Sequence, residues 1–137
     1  MKKILIIIIV IFFVISLDFM TENYTNKVVN EVNQELEIVN KKIEEGYVDN
    51  EFVLGKNIEK DIRKISKKVL EKWRKQDNIL SFYIEHDELE KVSDKINLLN
   101  KQIEISNYTD AISSINEIEF LLKHITEKQS LTWKNIF

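Results

Sequence analysis

The chain has no proline and only two glycines, Gly46 and Gly55, in 137 residues. Proline breaks a helix by its ring and missing N–H, and glycine weakens one through backbone entropy. A chain so poor in both reads as long helices with few enforced turns. The two glycines bracket Tyr47–Leu54, which reads as a connector or a short helical turn. Gly46 is expected to end the preceding helix by supplying a left-handed residue. Zero cysteine removes disulfides, thiolate metal sites and thiol nucleophiles together.

The start of the chain is apolar. Lys2-Lys3 precedes an unbroken run from Ile4 to Ile15, then Ser16, Leu17 and Asp18. Lysines ahead of such a run keep that end in the cytosol, so the rest is expected outside the membrane. Ile4 to Leu17 is 14 residues, or ~21 Å of helix, against ~30 Å of hydrocarbon and a practical minimum of ~17 residues. Counting on through Met20 reaches that minimum. A cleaved signal also has a short apolar core. Ser16-Leu17-Asp18-Phe19-Met20, however, lacks the small residues signal peptidase requires, so the expectation is a retained single-pass anchor over residues 1–20 and an extracytoplasmic domain over 21–137.

That domain carries 18 basic and 22 acidic residues, too mild an imbalance to define a partner. Its topology argues against nucleic acid. Val29, Val32, Leu36, Val39 and Ile43 recur at alternating steps of three and four, a heptad seam over a stalk-like helix at 21–46. The seam fits one helix of an intramolecular bundle, and alternatively a parallel homodimer. Ile58, Ile62, Ile65, Val69 and Trp73 mark a second amphipathic helix at 56–85, either continuous or broken near Asp77-Asn78. Asp87 reads as a helix cap with Glu90 three residues on. Leu89, Val92, Ile96, Leu99 and Ile103 follow. Asn107 offers the next cap, with Asp110 at its third position, ahead of Ala111, Ile115, Ile118, Leu122 and Ile125. The short connector Ser106–Tyr108 forces an antiparallel hairpin over 87–127. Residues 128–137 form an apolar tail ending Ile136-Phe137, expected to dock on the bundle. Trp73 and Trp133 read as packing residues. The predicted fold is all-α: a transmembrane helix, then a bundle of three to four helices closed by that hairpin.

Chemistry has few places to sit. The only histidines, His86 and His124, fall at one end of the predicted hairpin. With Glu90 and Glu127 they make a candidate metal or pH-responsive set, although no known ligand spacing such as HExxH is present. Acids in a helix first turn also suit the helix dipole without any ligand. No Gly-x-Ser-x-Gly elbow or glycine-rich phosphate loop occurs, so no enzymatic activity and no cofactor is expected. Between Lys56 and Lys75 nine basic residues stand against three acidic ones. Lys60, Arg63, Lys64, Lys67, Lys68, Lys72, Arg74 and Lys75 are the candidate anion-binding set, for anionic lipid or a cell-wall polymer at ~1 kcal/mol per surface lysine. A solvated helix face, or pairing with the acids of residues 85–94, explains the same residues.

The Lys-Lys apolar start, Trp73, Leu80-Ser81-Phe82-Tyr83-Ile84-Glu85-His86-Asp87-Glu88-Leu89-Glu90-Lys91-Val92, Tyr108-Thr109-Asp110-Ala111, Phe120-Leu121-Leu122 with His124, and Asn135-Ile136-Phe137 together resemble an uncharacterised bacterial family, domain of unknown function 4363. The likeness covers nearly the whole chain. It implies a small membrane-anchored helical protein of Gram-positive bacteria, often encoded near multi-pass membrane proteins, and it supplies no activity, cofactor or catalytic residue. The functional expectation is an accessory module for a membrane-protein partner, the alternatives being the anion binder and the histidine site.

Overall fold

The computed structural model describes residues 2–49 and 51–134, with side-chain surroundings given through residue 130. The expected docking of Ile136-Phe137 and packing of Trp133 lie outside what is described.

The first helix, α1 (Lys2–Glu45), is a single 44-residue rod of ~66 Å. Its sequence has no breaker, so the apolar run and the heptad seam share one continuous backbone. From Ile4 to Val14 every side chain is more than half exposed. From Thr25 onward Val28, Val29, Val32, Leu36, Val39 and Ile43 are buried. The rod therefore has a free apolar portion and a portion packed in a bundle.

Gly46 ends α1, but not by the left-handed conformation expected, since no glycine has positive φ. Its role is steric: a Cβ would overlap the Leu54 side chain, while the Gly46 carbonyl accepts from Val53 N at 2.7 Å. The connector is a small antiparallel hairpin, β1 (Tyr47–Val48) and β2 (Glu51–Phe52), pairing Tyr47 with Phe52 and Val48 with Glu51. Asp49 takes the left-handed turn position at φ 51°, which short polar side chains tolerate.

Helix α2 (Lys56–Leu80) runs unbroken through Asp77-Asn78 and buries Ile62, Ser66, Val69, Trp73 and Leu80. Helix α3 (His86–Glu104) starts before Asp87, with Glu85 at the cap position and no side-chain cap bond. This corrects the expected Asp87–Glu90 capping box. Asp87 and Glu88 instead occupy the first turn, where exposed N–H dipoles favour acids. At the far end of α3, Asn107 N donates to Gln102 O at 2.8 Å and Ser106 N to Ile103 O at 3.1 Å, with Ser106 at φ 59°. This is a Schellman closure made without glycine. Asn107 then caps α4 (Tyr108–Lys134): its Oδ1 accepts from Asp110 N at 3.3 Å and its Nδ2 donates to Asp110 Oδ2 at 2.7 Å. The helix continues past residue 127, so the stretch set apart as a tail is helical through Lys134.

Each helix packs on two others, α1 on α2 and α4, and α3 on α2 and α4. Connections this short make neighbours antiparallel, giving an up-down-up-down four-helix bundle. One apolar cluster fills it, including Leu36, Trp73, Ile96, Leu99, Ile118 and Leu122. Trp73 is 1% exposed, and its indole N–H donates to Ser93 Oγ at 2.7 Å. Val29, Val32, Leu36, Val39 and Ile43 all lie in this cluster. The seam considered for a homodimer is thus packed against the chain's own helices, as one helix of an intramolecular bundle.

Candidate functional site

The bundle has a near end, where α1 enters it, and a far end carrying the β-hairpin. At the near end α3 begins and α4 finishes, so His86 and His124 do fall on the same side of the molecule. Their chemistry does not converge on a metal site. His124 Nε2 lies 3.9 Å from Glu88 Oε1, and that same oxygen accepts from Lys128 Nζ at 2.7 Å. Lys128 also reaches Glu85 at 3.1 Å, and the hydrogen bonds it donates to the Glu88 and then the Glu85 carboxylates hold its ammonium above the ordinary lysine range. Glu127 is engaged with Lys123 at 3.6 Å, and His86 and Glu90 are exposed. Among the described residues no three histidine, aspartate or glutamate side chains gather as a ligand set. The position a cation would take beside Glu88 is filled by Lys128, a covalently attached cation the histidine-centred reading overlooked.

The basic helix divides into two sets. Lys68 Nζ lies 2.7 Å and Lys72 Nζ 3.4 Å from Glu35 Oε1, and Lys72 is 3.8 Å from Glu31. The Glu35 side chain is 13% exposed; the Lys68 hydrogen bond, outweighing burial, holds its carboxyl below the usual glutamate range. Lys68 and Lys72 therefore belong to the α1–α2 seam. Lys67 meets Glu104 at 3.9 Å, and Arg74 reaches Asn97 Oδ1 at 3.4 Å. Lys60, Arg63, Lys64 and Lys75 are exposed and form no ion pair among the described residues. None of the α2 cations is paired with the acids of residues 85–94 among the described residues; Lys68 and Lys72 meet acids of α1, and Lys67 meets Glu104 at the far end of α3. A sequence signal existed: Glu31 and Glu35 flank Val32 and Leu36 as Lys68 and Lys72 flank Val69 and Trp73, the arrangement of charges beside two facing seams.

The α1–α4 seam is polar. Asn26, Asn30, Asn33 and Gln34 of α1 line a groove with Glu37 and Glu119. Burial, and then the Glu37 charge, push the Glu119 carboxyl above its ordinary range. Asn33 Oδ1 has no hydrogen-bond partner there.

A polar clasp ties the α2–α3 turn to α1. Tyr24 OH donates to Gln76 Oε1, Thr25 Oγ1 and Tyr83 OH are 3.1 Å apart, and Tyr83 OH donates to Thr21 O at 3.5 Å. Burial raises the Tyr83 phenol above its usual value.

These features define a class: an all-α antiparallel bundle carried on a helix that, by length and composition, is able to cross a membrane. Residues 19–136 match the family Domain of unknown function (DUF4363), and the chain belongs to that family. The match covers the bundle and begins just after the apolar run. No curated protein and no solved structure matches the chain.

Proposed function

We propose that the protein is a non-enzymatic, single-pass membrane protein whose bundle is held outside the cytoplasm as an accessory module for a membrane-protein partner. One observation supports this above the others: α1 passes from its exposed apolar portion into the bundle core without a break. A bundle so attached cannot swing freely, and it presents the same faces at the same height in every copy. Lys2 and Lys3 ahead of the apolar run support a cytoplasmic N-terminus. The test is mild-detergent co-purification of the full-length protein from its native membrane, with residues 21–137 expressed separately as control. The full-length form is expected to stay membrane-bound at full mass and to retain a multi-pass partner. Release of a shorter, soluble product overturns the reading.

A second reading has its own observation: Lys60, Arg63, Lys64 and Lys75 of α2 are exposed and form no ion pair among the described residues. Because α2 runs alongside α1, these cations stand along the rod and away from the bilayer plane. The geometry suits an extended polyanion of the cell wall better than a flat lipid surface. Binding of polyglycerol phosphate should weaken steeply with salt, and replacing Lys60, Arg63 and Lys64 by Gln should reduce it several-fold. Absence of binding at low salt removes this reading.

A further inference from the structure

Among the described residues Phe82 is the most exposed large apolar side chain, at 88%. It sits on the α2–α3 turn, whose backbone is well tied: Phe82 N donates to Ile79 O at 3.3 Å, Tyr83 N to Leu80 O at 3.1 Å and Ile84 N to Leu80 O at 2.9 Å. Tyr83 turns inward to the clasp and Ile84 is 8% exposed. Phe82 alone of the three points out, so its exposure is a fixed feature of a folded turn.

Its height follows from register. Gln76 of α2 meets Tyr24 of α1. The helices are antiparallel, so four residues further on Leu80 comes level with about Met20, ~4.5 Å beyond Leu17, where the apolar run ends. Tyr83 OH, at Thr21 O and Thr25 Oγ1, turns back up the bundle to ~6–12 Å beyond Leu17, which leaves Ser81 and Phe82 on the membrane side of the turn. The headgroup layer extends ~5–8 Å beyond the hydrocarbon on each side. With residues 4–17 in a bilayer, the turn is therefore at headgroup depth, and Ile79, 45% exposed, is next to it. Other exposed apolar side chains, Phe120 at 70% and Ile105 at 73%, lie along the shaft or at the far end, where nothing indicates what would cover them.

We infer that the α2–α3 turn is a second membrane contact, in which Phe82 enters the outer leaflet beside the anchor and fixes the rotation of the bundle against the lipid surface. The inference rests on the anchor reading. The occupant is lipid because α2 ends within ~5 Å, along the axis, of where the apolar run ends on the adjacent helix. The insertion is apolar, and Glu85 nearby is already paired with Lys128. Contact should therefore persist at high salt, unlike polyanion binding by α2.

The absence of native cysteine makes site-specific labelling simple. Full-length Ser81→Cys, Phe12→Cys and Ile105→Cys variants, each carrying a nitroxide, are reconstituted into phosphatidylethanolamine–phosphatidylglycerol vesicles. Accessibility to oxygen is compared with accessibility to a water-soluble nickel complex. Position 12 should read as bilayer and position 105 as water. Position 81 should fall between, with an oxygen-to-nickel ratio several-fold above that at 105. Adding Phe82→Ser should bring position 81 down to the aqueous value while leaving the melting temperature unchanged, because Phe82 makes little packing. A water-like ratio at 81 with position 12 still in the bilayer overturns this inference and leaves the anchor standing. A water-like ratio at 12 overturns both. An interfacial ratio at 81 that Phe82→Ser does not change overturns the role of Phe82.

Discussion

Where α1 meets α2, a nearly buried glutamate stands between two lysines. Where the same helix meets α4, asparagines and two glutamates share a groove. Glu35 ionises more readily than a free glutamate because Lys68 and Lys72 surround it, whereas Glu119 ionises less readily because it is half-buried near Glu37. Lys41 answers Glu37 at 2.8 Å, and Lys123, which lines the groove, is turned to Glu127. One seam is closed by complementary charge, and the other is held by the apolar residues behind a polar front. At neutral pH charge thus favours the contact of α1 with α2 and opposes that with α4 at Glu119.

The largest effect should come from a residue serving the shared core. Leu36 is 0% exposed, and Leu36→Ala should cost ~2–5 kcal/mol, equally at pH 7 and pH 4. A strong pH dependence would mean that charge, and not packing, dominates α1. Next, Glu35→Gln should cost ~1–2 kcal/mol at pH 7, a discounted value for a pair whose lysines reach solvent. Because the folded carboxyl titrates lower than the unfolded one, its stabilisation is complete above the unfolded value near 4.5 and disappears as pH falls through the lower folded value. Denaturant melts of wild type and variant should therefore converge in acid.

Glu119→Gln should act in the opposite direction. A raised folded value makes the carboxylate a liability that is fully present above that value and absent below the unfolded one, near 4.5. The substitution should stabilise by a few tenths of a kcal/mol at pH 7 and by nothing in strong acid. If Glu35→Gln and Glu119→Gln shift stability in the same direction at pH 7, the contrast between the seams is broken. Ser106→Gly serves as a reference away from both seams. Relieving a left-handed serine at φ 59° should gain ~0.5 kcal/mol after glycine's entropic cost, independent of pH.

The parts of this fold visible in the sequence are those governed by short-range periodicity. Val29 to Ile43, Leu89 to Ile103 and Ala111 to Ile125 announce their buried faces, and Asn107 announces its cap. Residues decided by long-range packing were not visible. Ser106 is left-handed because α3 and α4 must close tightly, although serine carries no such signal. Gly46 is needed for the space Leu54 occupies and not for its own dihedral. The Tyr47–Phe52 hairpin is too short to show alternation. The candidate site was legible as residue types and not as partnerships. Lysines on α2 were evident, but which of them Glu31 and Glu35 absorb depends on the α1–α2 register, and Lys128 enters the histidine end only through the crossing of α3 and α4. Phe82 looked like one apolar residue among several until the register set its height.

The unbroken α1 also fixes a length. From Leu17 to Glu45 the rod measures ~42 Å, so with residues 4–17 in a bilayer the β-hairpin would stand about that far above the hydrocarbon. On the proposed anchored reading the rod would act as a ruler as well as a tether: a partner of the hairpin end would have to rise that high from the membrane, and a low-lying one would be engaged along the shaft.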